Sequence, residues 1–438
     1  MLGEYRITGR RASEIAADVE RAVAAGELAP GATLPPLRDL AAELGINPNT
    51  VAAAYRLLRE RGVIETAGRR GSRIRPRPVT APRDQARLPV PPGARDVSAG
   101  NPDPALLPPL GPALAAAAAG PPVLYGDPVA EPELLAGYRA EFRADGAPEG
   151  ELAVCSGALD TIARVLSAHL RPGDAVAVED PGWGSVLDLL PALGLRAVPV
   201  PVDDQGPLPD PVAAALDHGA RALIVTSRAQ NPTGAALTPG RAAALRAVLA
   251  ARPATVLIED DHGHGMVDQP FQSLATGTVT HWALVRSAAK ELAPDLRVAV
   301  CVGDADTVAR VLGRQRLDAG WVSHLLQRAV LELRRHRPAP APVYRARREA
   351  LLAALAAHGV RAHGVSGLNV WIPVPDETAA AAALLQRGWV TAPGARFRQD
   401  SPPGIRITVS TLDPADAPAL AAAVAAVLHA PAAGSRLT

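Results

Sequence analysis

Lysine is almost absent from this sequence. Of 45 basic residues, 44 are arginine and one, Lys290, is lysine. Either one lysine survived a coding bias toward arginine by chance, or it was kept for chemistry that arginine cannot do. A guanidinium stays charged near pH 7, whereas a lysine amine can lose its proton and attack a carbonyl. Aromatic residues are scarce too, at 3%, so the core must be built from aliphatic and small side chains. The only two cysteines, Cys155 and Cys301, lie in apolar runs at no metal-ligand spacing. That excludes a disulfide scaffold and a cysteine-based metal module, and leaves buried thiols in a reducing compartment. Long hydrophobic runs are missing. The softest stretch, Leu110 to Gly120, falls short of the roughly 20 residues that cross a bilayer. The start, MLGEYRITGRR, has no apolar signal core. We therefore expect a cytoplasmic protein with no membrane partner.

The 438 residues, 48% apolar and 20% charged, are enough for two or three domains with real cores. Net charge is only +1, but it is spread unevenly. The first 78 residues hold thirteen arginines against nine acids, a mild excess on the side that suits nucleic acid.

That first segment has the pattern of a DNA-binding module. Ile15, Val19 and Val23 recur at helical spacing over Ala12 to Ala25, and Leu37 to Leu44 forms a short helix closed by Gly45. Asn47 suits an N-cap and Pro48 the first turn of a third helix, expected to run to about Arg61 and to bury Val51, Tyr55 and Leu58. Two helices joined by a tight glycine turn predict a helix-turn-helix. Val63–Thr66 and Ser72–Arg75 predict the strands of a wing tipped by Arg69 and Arg70. The run from Gly26 through Pro30-Gly31, Leu34-Pro35, Arg38-Asp-Leu40-Ala41, Leu44-Gly45-Ile46, Asn49-Thr50-Val51 and Ala54-Tyr55 to Leu58 resembles the winged helix-turn-helix of GntR regulators. The resemblance implies an operator of double-stranded DNA contacted by Arg38, Asn47, Asn49, Thr50, Arg69 and Arg70, with Pro48 standing where relatives often carry arginine. This head is assigned to residues 1–76, and a proline-rich linker to 77–97.

From residue 98 to 438 apolar strands alternate with alanine-rich helices, which predicts an α/β domain with a largely parallel sheet. Strand candidates are Val176–Val178, Ala222–Thr226, Val256–Ile258, Ala283–Val285 and Val298–Val302. Polar motifs fall at their ends, where such sheets bind ligands. Ser156-Gly157-Ala158 is a small-residue turn that opens a helix, suited to phosphate but common in other turns. Trp183 offers a flat face, or ordinary packing. Asn231-Pro-Thr-Gly234 offers an amide, or a plain turn. Asp260 ends a strand, where a carboxylate can keep a pyridine nitrogen protonated. His262 and His264 beside Glu259, Asp260 and Asp261 also have metal-ligand types. No further ligand cluster accompanies them, and no metal is expected. Ser287 and Arg297 flank Lys290, and Arg406 lies in a late strand.

Singly these signals are modest, but their order resembles fold-type I aminotransferases of class I/II, over roughly residues 98–430. The resemblance implies pyridoxal 5'-phosphate as cofactor. Lys290 would form the Schiff base, Asp260 would pair with the ring nitrogen, and Asn231 and His262 would face the ring oxygen. Trp183 would stack on the ring. Ser156, Gly157, Ala158, Ser287 and Arg297 would hold the phosphate, and Arg406 an effector or substrate carboxylate. Tyr125 would reach a neighbouring subunit's phosphate, which implies a homodimer. A small subdomain is expected from the 98–120 segment and about 340–438. His262 stands where the family usually has tyrosine, Ala289 where serine often precedes the lysine, and Asn369 where histidine is common. A GntR head on such a body resembles the MocR subgroup of bacterial regulators. This implies a transcription factor that senses pyridoxal phosphate, or an amine joined to it as an external aldimine. An active aminotransferase with an accessory head remains an alternative, as does a body that serves only as a dimerising scaffold.

Overall fold

A computed structural model describes residues 5–25, 27–29, 31–60, 63–66, 71–74, 83, 90–275, 277, 279–337 and 339–429. The chain divides into two compact units. One comprises residues 1–80, 170–175 and 188–197, and the other residues 81–169, 176–187 and 198–438.

The head has helices α1 (Ala12–Ala25), α2 (Leu37–Leu44) and α3 (Pro48–Glu60), then strands β1 (Ile64–Thr66) and β2 (Ser72–Ile74). Each helix turns its apolar stripe inward. Ile15, Val19, Leu40, Val51, Tyr55 and Leu58 are all essentially buried, each contributing about 1.5–3 kcal/mol of apolar transfer. Gly45 closes α2 in the left-handed conformation, with φ +64°, and makes the tight turn into α3. The wing strands pair antiparallel in the register Ile64↔Ile74. Helix α3 is described as far as Glu60, and the expected end at Arg61 lies outside the described residues.

The body adds β3 (Arg95–Asp96), β4 (Glu151–Cys155), β5 (Ala175–Asp180), β6 (Arg196–Asp203), β7 (Gly206–Pro207), β8 (Ala220–Thr226), β9 (Val256–Asp260), β10 (His281–Ser287), β11 (Ala299–Gly303), β12 (Asn369–Pro373), β13 (Trp389–Val390), β14 (Ala392–Pro393) and β15 (Gly404–Thr408). The main sheet has the order β4-β11-β10-β9-β8-β5-β6-β7. Strands β8, β9 and β10 run parallel, and β11 lies antiparallel to both β10 and β4. Strand β4 therefore points the same way as β10, and the carboxyl ends of β4, β8, β9 and β10 share one edge. The start of β11 meets that edge through the register Ser287↔Ala299↔Cys155. All five expected strand candidates lie within strands, except that β11 begins at Ala299 rather than Val298. Both cysteines are buried free thiols.

A smaller sheet, β12-β15-β14, packs with the helices Ala341–Ala357, Glu377–Gln386 and Ala417–Leu428 around Leu351, Ile372, Leu384, Ile407 and Leu420. Strand β3, from the end of the expected linker, pairs parallel with β13. Among the described residues no helix is long and apolar enough to cross a membrane.

Candidate functional site

A cavity of about 330 Å³ opens at the shared strand edge. Ala158, Trp183, Asn231, Asp260, His262, Ser287, Lys290, Arg297 and Arg406 all line it, drawn from segments far apart in sequence. Asn369 and Ala289 line it as well.

Asp260 closes β9 and is buried. Its Oδ2 lies 2.9 Å from His262 Nδ1, and its Oδ1 is buried with no hydrogen-bond partner in the chain. The other ring nitrogen of His262, Nε2, lies 2.9 Å from the carbonyl oxygen of Ala229. Both neighbours offer oxygens, so the doubly protonated ring is the form that can donate to both. Burial opposes that charge, but the charge and hydrogen bond of Asp260 outweigh it and raise the pKa above the ordinary 6.5. His262 thus faces the cavity with both nitrogens engaged.

Lys290 follows β10, and its Nζ donates to the carbonyl oxygen of Gly100 at 2.5 Å. Ser287 Oγ accepts from the Ala289 N–H at 3.3 Å, which leaves its own proton to donate. Arg297 sits just before β11 and donates from Nη2 to the Ser156 carbonyl oxygen at 3.1 Å. A Cβ on Gly157 would lie 2.5 Å from Arg297 Nη2, and the φ of +96° there disfavours other residues. That glycine lets the guanidinium lie against the turn. The Ser156 N–H is already taken by Asp160 Oδ2 at 2.9 Å.

Arg406 is buried in β15. It donates from Nη1 to Asn231 Oδ1 at 2.8 Å and from Nη2 to the Ser98 carbonyl oxygen at 2.6 Å, with its Cζ 4.5 Å from the Phe397 ring centroid. Asn231 Oδ1 also lies 3.5 Å from Asn369 Nδ2. With its oxygen so engaged, Asn231 has its amide nitrogen left as a donor. Tyr125 is not drawn to the cavity. It is 93% exposed, and its ring edge meets Trp321 at 5.5 Å.

In the head, Arg38 is exposed on α2. Asn47 Oδ1 accepts from the Asn49 N–H at 2.8 Å, with Asn47 and Asn49 exposed and Thr50 half-buried at the start of α3. Arg69 and Arg70 lie outside the described residues.

Sequence reasoning missed a buried ion cluster behind the site. Asp261 takes Arg228 Nε at 2.7 Å and Arg286 Nε at 2.9 Å, and Arg286 reaches Asp145 at 2.5 Å. Burial pushes the Asp261 pKa up, but the Arg228 charge prevails and holds it below the usual carboxylate range. The histidines weighed as metal ligands part company: His262 turns to Asp260, and His264 to Glu141 at 2.9 Å. Asp145, Asp261 and His264 do have ligand atoms within 4.8 Å of one another, but Arg228 and Arg286 occupy those carboxylates. Two buried glutamates, each raised to about 7 by burial, were also missed. Glu259 holds Ser273, Leu274 and Ala275, and Glu179 holds Thr226 and Gln230.

The cavity's donor set fits pyridoxal phosphate. It combines a buried carboxylate oxygen with no partner, an amine, a flat aromatic side chain, and a guanidinium beside a hydroxyl.

Comparisons with known proteins bear on both units. The aminotransferase class I and II family matches residues 98–424, and the gntR family of bacterial regulatory proteins matches residues 11–74. The chain is similar to the vitamin B6 salvage pathway transcriptional repressor PtsJ of Salmonella typhimurium, at 41% identity over 97% of this chain and 100% of that one. It is similar to the pyridoxine biosynthesis transcriptional regulator PdxR of Corynebacterium glutamicum, at 31% identity over 60% of each chain. Among solved structures, the aspartate aminotransferase of Thermus thermophilus with maleate is 26% identical, with TM-score 0.65, and the match covers 76% of this chain and 92% of that one.

Proposed function

The chain belongs to the aminotransferase class I and II family and carries a gntR-family head, the MocR arrangement, and from that premise we propose that it represses vitamin B6 salvage genes with pyridoxal phosphate itself as the signal. It is a DNA-binding regulator of the GntR/MocR type whose cofactor is pyridoxal 5'-phosphate.

The observation that carries the reading is the pairing, in one cavity, of Lys290 with the buried, unpartnered Oδ1 of Asp260. When bound, the cofactor supplies an aldehyde that reacts with amines and a ring that withdraws electrons. The chain's own residues hold it. Asp260 Oδ1 would accept from the ring nitrogen while His262 keeps Oδ2 occupied. Asn231 would donate to the ring oxygen, and Trp183 would cover the ring. Ser287, Arg297 and the turn at Ser156, Gly157 and Ala158 would hold the phosphate. Lys290 presents the amine. Arg406 would serve a carboxylate, but it is already engaged by Asn231, Ser98 and Phe397. What favours the cofactor itself as signal is the likeness to a vitamin B6 salvage repressor.

Arg38, Asn47, Asn49 and Thr50 would contact DNA. A second copy would cover Tyr125, which is exposed beside Leu124, itself 66% exposed.

The test is a gel shift of the full chain on its own upstream DNA, with pyridoxal phosphate and with a panel of amino acids. A shift in affinity with the cofactor alone supports the reading. A shift that appears only after an amino acid is added makes the chain an amino-acid sensor instead.

A further inference from the structure

The stretch from Arg95 to Asn101 forms a strap between the linker and the cavity, and β13 and β15 fasten it at close intervals. The Val97 N–H donates to Val390 O at 2.9 Å, and Val97 O accepts from the Thr408 N–H at 2.7 Å. Ser98 O accepts from Arg406 at 2.6 Å, and the Gly100 N–H donates to Thr408 Oγ1 at 3.1 Å. Lys290 fastens the strap from the other side, out of the loop that follows β10, through its Nζ on Gly100 O at 2.5 Å. Upstream of the strap, the chain runs through the linker to the head.

We infer that the Lys290–Gly100 hydrogen bond is a latch through which occupancy of the cavity reaches the tether of the DNA-binding head. The inference rests on the reading of the cavity as the cofactor site. The chemistry is a competition for one nitrogen. To react with an aldehyde, the Lys290 ammonium first gives a proton to solvent. The amine then forms a C=N bond, and its two remaining hydrogens leave with the aldehyde oxygen as one water. Nζ then has no hydrogen for Gly100, or one if the product takes up a proton that the ring oxygen and Asn231 compete for. The event that fills the cavity thus removes a fastening from the strap. No residue of the head need touch the cavity for this to act, because the strap is continuous in sequence with the tether.

Hydrogen exchange of the full-length protein tests this on a peptide covering residues 97–103, without cofactor and with it. In the wild type, exchange there should quicken roughly fivefold on loading, as expected for one lost hydrogen bond. Lys290→Ala should exchange at the fast rate in both conditions. Lys290→Arg keeps a donor but cannot form the C=N bond, and should stay slow in both. Unchanged exchange in the wild type, with an absorbance band showing the cofactor bound, overturns the latch and leaves the cofactor reading standing. If no band and no borohydride-trapped adduct appear, the cofactor reading fails on its own account. The cofactor-free proteins still judge the latch in that case, since equal exchange in wild type and Lys290→Ala overturns it.

Discussion

One oxygen of Asp260 lies 2.9 Å from His262 Nδ1, while the other is buried and finds no partner in the chain. A lone buried carboxylate oxygen is costly unless something else pairs with it. The pair thus has the form of a half-filled socket: His262 fixes the orientation, and on the proposed reading a protonated ring nitrogen would complete it.

Asp260→Asn should weaken binding of pyridoxal phosphate by roughly 30- to 150-fold, the value of one charge-assisted hydrogen bond of about 2–3 kcal/mol. Absorbance titration checks this. Undiminished affinity would remove Asp260 from the site.

His262 has a raised pKa, so its stabilising contribution is complete below the ordinary histidine value and is lost as pH rises through its own higher value. Relative to His262→Gln, the cofactor-free wild type should be more stable by about 1–3 kcal/mol near pH 6. The gap should narrow as pH rises through that higher value. Urea unfolding of both proteins across a pH series measures it, and a gap that widens with pH would refute the charged ring.

Arg286 is 1% exposed and shares Asp261 with Arg228. Arg286→Met leaves part of a buried charge uncompensated and should cost about 3–5 kcal/mol. A fall in urea midpoint without a change in slope is the expected signature. A neutral effect would show that Arg228 alone suffices.

Arg38→Ala should weaken operator binding. If the contact is to phosphate, the slope of log affinity against log salt should flatten by about 0.9. Fluorescence anisotropy at several salt concentrations reads both, and unchanged affinity throughout would take Arg38 off the interface.

Much of this was legible in the chain. A lysine alone among arginines singles out one position for attention, and Lys290 does line the cavity. The head helices announce themselves by apolar spacing and by Gly45. The strand-end motifs could be read because a parallel sheet brings its carboxyl ends to one edge. What stayed hidden depends on contacts between residues far apart in sequence. Gly100 is 190 positions from Lys290, and Asp261 meets Arg228 and Arg286 across 33 and 25 positions. No local pattern says which of two adjacent aspartates, Asp260 or Asp261, turns to the cavity and which to an arginine pair. Arg95–Asp96 is too short a strand to show a period, so it reads as linker until β13 is in place beside it.

The most direct test of the central claim is operator affinity measured against pyridoxal phosphate concentration for the wild type and for Lys290→Ala. The expected result is a change of roughly tenfold or more in the wild type, and no change in the variant. An equal response in both proteins, or none in the wild type, would contradict the claim that the cofactor acts on DNA binding through this lysine.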